Sequence, residues 1–155
     1  MRYVIVCVLV LLVAGGLFFV RSAGANESSF AYSDPDIVAL GQSLYAENCA
    51  VCHGNDLEGQ ENWQDRDASG FMPAPPHDEN GHTWHHPDAQ NFEITKYGIE
   101  AVVGGGYKSN MEAYDVLMSD EEIVAVLAYI KSTWPQQIID RHDQLNEAYS
   151  EATKP

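Results

Sequence analysis

Five residues, Cys49-Ala50-Val51-Cys52-His53, constrain this chain more than anything else in it. They form CxxCH, which puts two thiols and an imidazole on one short stretch of backbone. A redox dithiol, half of a zinc site or attachment of a cofactor could each use such a stretch. A thioredoxin-like dithiol should open a helix after a strand. A zinc site wants a second CxxC or paired ligands at defined spacing. Neither context is present, because the segment before Cys49 has helical periodicity and the third cysteine, Cys7, lies in an apolar leader.

That leader bears on the compartment. After Met1-Arg2, residues 3–20 carry no charge, and Arg21 ends the run. The length predicts an N-terminal membrane anchor within residues 1–25; Ala23-Gly24-Ala25 offers a cleavage site if the segment is instead a signal peptide. Either route exports the remainder. The expected location is the periplasmic side of a bacterial inner membrane, tethered there or free in the periplasm after cleavage. Cys7 is read as a small apolar side chain of the leader.

The whole chain has 155 residues and a net charge of -15, so phosphate backbones are poor partners. The leader contributes two arginines and no acid, which leaves 6 basic against 23 acidic residues beyond it. Such a surface serves either solubility through self-repulsion or steering toward redox partners with a basic docking face.

In an exported chain, a lone CxxCH is best explained by haem. Each thiol can add to a vinyl group on the porphyrin, and the adjacent histidine reaches the iron from the same side. One haem c, covalent through Cys49 and Cys52 with His53 as proximal ligand, is therefore expected. A large apolar cofactor also explains how few helices could suffice, since it gives them a shared surface to bury.

Three helices are predicted. Asp34-Pro35 offers an N-cap and a first-position proline, and Ile37, Leu40, Gly41, Leu44 and Tyr45 recur on one face as far as about Asn48. Pro87-Asp88 starts a second, which stops near Tyr97 with Gly98 as its cap. Ser119 and Glu122 form a capping box for the third, Met118 and Ile123 close a hydrophobic staple, and Pro135 ends it after the stripe Ile123, Leu127, Ile130 and Trp134. No segment alternates as a strand should. Residues 54–86, polar and rich in Gly and Pro, form an irregular stretch long enough to imply that it wraps something. Residues 135–155 read as an acidic, amphipathic tail.

The order of helix, CxxCH, proline-bearing loop, short helix, methionine, and a terminal helix that begins Met118-Ser-Asp-Glu-Glu-Ile123 and contains Ala128-Tyr-Ile-Lys131 resembles bacterial class I c-type cytochromes. The resemblance covers about 34–134, and the domain is taken as 26–134. It implies an all-α cytochrome c fold of three or more short helices around the haem. The first and last helices should cross at a small residue and pack through aromatics, here Gly41 and Tyr45 against Val126 and Tyr129. It further implies that Met111, in the loop ahead of the last helix, is the sixth ligand; Met72 and the histidines are the other candidates. Glu112 follows Met111 where many relatives carry proline. Pro75 or Pro76 should offer its carbonyl to the proximal imidazole, with Pro76 preferred.

The segment Gly81-His82-Thr83-Trp84-His85-His86, with His77 upstream, reads as a polar loop whose Trp84 donates its indole N–H to a haem propionate. The competing reading is a second site for copper or zinc, or a histidine that displaces Met111. His142 is read as a surface residue. With both axial positions filled by the protein, the expected function is one-electron transfer without catalysis. The alternatives are a haem enzyme or gas sensor with a labile sixth ligand, or a fixed haem subunit of a larger oxidoreductase.

Overall fold

Asp34 begins the first helix by turning its carboxylate back on the chain: Oδ1 accepts from the amides of Asp36 and Ile37 at 3.0 and 3.3 Å. Pro35 then occupies the first helical position, where a missing N–H costs nothing, and α1 runs Pro35–Asn48. The computed structural model describes residues 30–154. The leader reading for residues 1–25 lies outside them. Among the described residues no helix is long and apolar enough to cross a membrane. The expected anchor, and the membrane-side location drawn from it, therefore have no support in the structure, and that expectation is corrected here.

Directly after α1 the CxxCH segment makes one helical turn, α2 (Ala50–His53). No further α-helix forms until α3 (Asp88–Tyr97), which is preceded by a 3-10 turn at Thr83–His85. Gly98 caps α3, and the short α4 (Ile99–Val103) follows at once. Then come α5 (Asp120–Ser132) and α6 (Gln136–Ala152). The described residues are thus helical, with a single isolated bridge between Met72 and Ser109 in place of any strand.

The α5 start has the full capping box. Ser119 Oγ accepts from the Glu122 amide at 3.2 Å, and Glu122 Oε2 accepts from the Ser119 amide at 2.8 Å. Met118 and Ile123, the staple pair, are both buried. This helix is the spine of the core, with Ile123, Ala125, Val126, Leu127, Ala128 and Ile130 all withdrawn from solvent.

α1 crosses α5 at Gly41. A Cβ there would lie 1.9 Å from the Ala125 carbonyl oxygen and 2.9 Å from Tyr129 Cβ, so only glycine permits this approach. One turn on, the Tyr45 and Tyr129 rings meet at 5.4 Å. The crossing partner is Ala125 rather than Val126, which faces the cavity described below.

Residues 135–154 are no loose tail. α6 packs on the 3-10 turn and the start of α3: Asn146 Oδ1 accepts from the Asp88 amide at 2.7 Å, and His142 Nε2 donates to the His86 carbonyl at 2.9 Å. Lys131 of α5, fully buried, pairs with Asp143 at 2.5 Å. His142 is also fully buried, edge-on to Trp134 at 5.1 Å, which corrects its expected place on the surface.

Candidate functional site

The long irregular stretch encloses space. A mostly apolar cavity of about 490 Å³ lies between it, the CxxCH turn and α5, a size typical of a small-molecule or cofactor site. Cys49, Cys52 and His53 line one side. Met111 and Met72 line it from the loops before α5 and after the motif, while Val126, Leu127 and Ile130 provide a wall from α5.

His53 is buried, and its Nδ1 donates to the Pro75 carbonyl at 2.8 Å. A carbonyl can only accept, so the proton sits on Nδ1 and Nε2 keeps its lone pair. Burial lowers the pKa of the ring, partly offset by the Pro75 bond, which keeps it neutral and able to ligate. The proline is therefore Pro75, not the preferred Pro76. Pro76 is buried, and its own carbonyl passes so close to Gly81 that a Cβ on Gly81 would sit 1.9 Å from it. The trailing proline thus packs into the loop and the leading one faces the imidazole.

The two motif cysteines are not joined to each other by a disulfide, with Cys49 buried and Cys52 exposed. Burial, with Cys52 nearby, pushes the Cys49 thiol up to about 11. A redox dithiol needs a lowered thiol pKa, so this environment argues against one. Among the described residues no three His, Cys, Asp or Glu side chains converge to hold a metal ion. That disfavours both the zinc half-site and the second metal site entertained for residues 77–86. His82 instead stacks on His85 at 5.3 Å and meets His86 edge-on at 4.7 Å.

Trp84 needs a correction as well. Its indole N–H donates to the Glu79 carbonyl at 3.1 Å, and its ring lies on His85 at 3.8 Å with the Arg141 guanidinium 5.2 Å above it. It is not among the residues lining the cavity, so it braces the loop against α6 instead of reaching a propionate.

Met111 belongs to a loop secured at several points. Its amide donates to Ser109 Oγ at 3.0 Å, and the Ser109 amide donates to Glu100 Oε1 at 2.8 Å. Across the Met72–Ser109 bridge, the Met72 amide donates to the Lys108 carbonyl at 3.1 Å. Tyr114 donates its hydroxyl to the Asn48 carbonyl at 2.8 Å, which ties this loop to the residue just before the motif; burial pushes that phenol up to about 12.

Sequence reasoning missed two contributors. His77 stacks on His53 with ring centroids 3.9 Å apart, and Tyr114 spans 66 residues to the motif. Neither follows from spacing, because each contact joins segments that only the fold brings together.

The donor set fits a covalently held haem: two thiols and a lone-pair-bearing imidazole on one short segment, two thioethers on other walls, and apolar side chains between. No curated protein and no solved structure matches the chain. The model of the Cytochrome c family matches residues 38–134, from within α1 to the end of the α5 segment. This span takes in the motif, the cavity and the α1–α5 crossing, and the chain belongs to the cytochrome c family, whose members bind haem c covalently and serve electron transfer.

Proposed function

We propose that the chain is a one-electron carrier that holds a single haem c through Cys49 and Cys52, with His53 and Met111 as axial ligands. One observation carries this reading: the CxxCH turn and the Met111 loop line the same apolar cavity, and the Nδ1 bond to Pro75 leaves His53 Nε2 free. Bound haem supplies a reversible one-electron couple at its iron.

The remaining work falls to the chain's own residues. Pro75 orients His53 and raises its basicity by accepting the Nδ1 proton, as outer partners of metal-bound histidines do. Met111 offers a soft thioether, which favours the reduced state and a comparatively high potential. Val126, Leu127 and Ile130 keep water from that side of the site and lower the dielectric around it. With His53 and Met111 both holding the iron, no position would be left for a substrate, as a carrier requires and an enzyme or gas sensor does not. The bonds that hold Met111's loop to Ser109, Glu100 and Asn48 support a fixed ligand even though Glu112 stands where relatives carry proline.

Carbon monoxide tests the reading. The ferrous, haem-loaded chain should show no spectral change under the gas at neutral pH. Ready formation of a carbon monoxide adduct would contradict fixed His53/Met111 ligation and favour an open or labile sixth position.

A further inference from the structure

His77 lines the cavity beside the imidazole of His53 but belongs to neither the CxxCH turn nor the methionine loops. Its ring lies on His53 with centroids 3.9 Å apart and planes 21° from parallel. Its backbone is clamped independently of that contact: the amide donates to the Leu57 carbonyl at 2.8 Å, and the carbonyl accepts the Trp134 indole N–H at 2.8 Å. The loop after the motif and the end of α5 together fix where the ring can go. Tyr45 closes the other approach, edge-on to His77 at 5.8 Å, while its hydroxyl donates to the Gly54 carbonyl at 3.1 Å just past His53.

The hydrogen bond to Pro75 secures one atom of the His53 ring, but the angular tolerance at a carbonyl is broad, so the ring plane retains freedom to rock. A flat group pressed on the ring face removes that freedom. We infer that His77 is a positioning residue for His53, fixing the plane of the ligand imidazole by stacking and laying an aromatic face against it. This rests on the reading of His53 as an axial ligand. A second effect follows from the same contact. Oxidised iron draws electron density from its ligand imidazole and leaves that ring partly positive, whereas an aromatic face carries negative charge density. The stack therefore favours the oxidised state and holds the potential down.

The test uses the full, haem-loaded chain and two substitutions that keep apolar bulk: His77→Phe, which retains a ring, and His77→Leu, which does not. Two quantities are read, the spread of ferric g values by electron paramagnetic resonance, which senses the imidazole plane, and the midpoint potential. His77→Phe should keep both near the parent. His77→Leu should change the g spread and raise the potential; if that variant loads no haem, His77→Gln is read in its place with the same expectations. A non-aromatic variant that matches the parent in both readouts overturns the inference, and so does a phenylalanine variant that shifts as far as the non-aromatic one. Failure of the ligand reading would show separately, as a parent protein with no low-spin ferric signal.

Discussion

A single hydroxyl joins the two walls of the cavity. Tyr114 reaches from the Met111 loop to the Asn48 carbonyl, so Tyr114→Phe loses one partly buried hydrogen bond and should cost about 1 kcal/mol in urea unfolding of the loaded protein. An unchanged midpoint would mean that water replaces the bond at no cost. At this scale the residues written into the motif were legible and their neighbours were not. Cys49, Cys52 and His53 follow from spacing alone. Which of two adjacent prolines turns its carbonyl to His53 depends on Gly59 and Gly81 packing against the Pro75–Pro76 backbone, a contact between segments that no local pattern encodes. Trp84 illustrates the same limit: an indole in a polar loop must find an acceptor, and it finds a backbone carbonyl five residues away, that of Glu79.

Between elements, two contacts dominate. At the α1–α5 crossing, Gly41→Ala would gain about 1 kcal/mol of helix propensity. It would also force a methyl against the Ala125 carbonyl, which as backbone cannot step aside. Overpacking of this kind costs about 1–3 kcal/mol or more, so a net destabilisation of up to about 2 kcal/mol is expected by denaturant titration; a stabilised variant would show that the helices separate freely. The second contact is α6 against the 3-10 turn and α3. Burial and Lys131 lower the pKa of His142, outweighing the opposite pull of Asp88, the His86 carbonyl and Asp143. The folded state therefore holds His142 neutral while the unfolded chain protonates it. Its contribution to stability is complete above the unfolded value near 6.5 and is lost as pH falls below that toward the depressed folded value. Thermal unfolding followed from pH 7.5 to 5 should show this loss, and His142→Phe should reduce it, leaving the part due to His77, His82 and His86, whose pKa values burial also lowers; an equal slope in the variant would place the pH dependence elsewhere. The helices with strong end signals, at Asp34-Pro35, Ser119 and Gly98, lie where their caps put them. α4, five residues long, buries none of them and leaves no pattern to read, and α6 was legible only as an amphipathic tail because Ile139 and His142 give it a narrow inward face.

For the molecule as a whole, charge and cavity are the governing facts. With 23 acidic and 8 basic residues, encounter with a basic redox partner should be accelerated at low ionic strength and slow as salt rises. Stopped-flow electron exchange with a basic protein would show it, and a rate indifferent to salt would remove electrostatic steering from the account. The cavity explains why the segment between α2 and the 3-10 turn lacks regular structure: residues such as Met72, Ala74, Pro75 and His77 line a site, while turn hydrogen bonds such as those joining Gln60 to Ala74 and His77 to Leu57 hold the segment in place. That much was legible as an anomaly in length and composition. Both Met111 and Met72 were legible as candidates; that their loops meet was not, because the Met72–Ser109 bridge that joins them is a long-range contact.

Met111, not Met72, is proposed to complete the axial pair with His53. The most direct measurement is the weak sulfur-to-iron charge-transfer band of the ferric, haem-loaded chain, recorded for the parent, Met111→Ala and Met72→Ala. The account predicts the band in the parent and in Met72→Ala and its loss in Met111→Ala. Loss of the band only in Met72→Ala, or its absence from the parent, would contradict it.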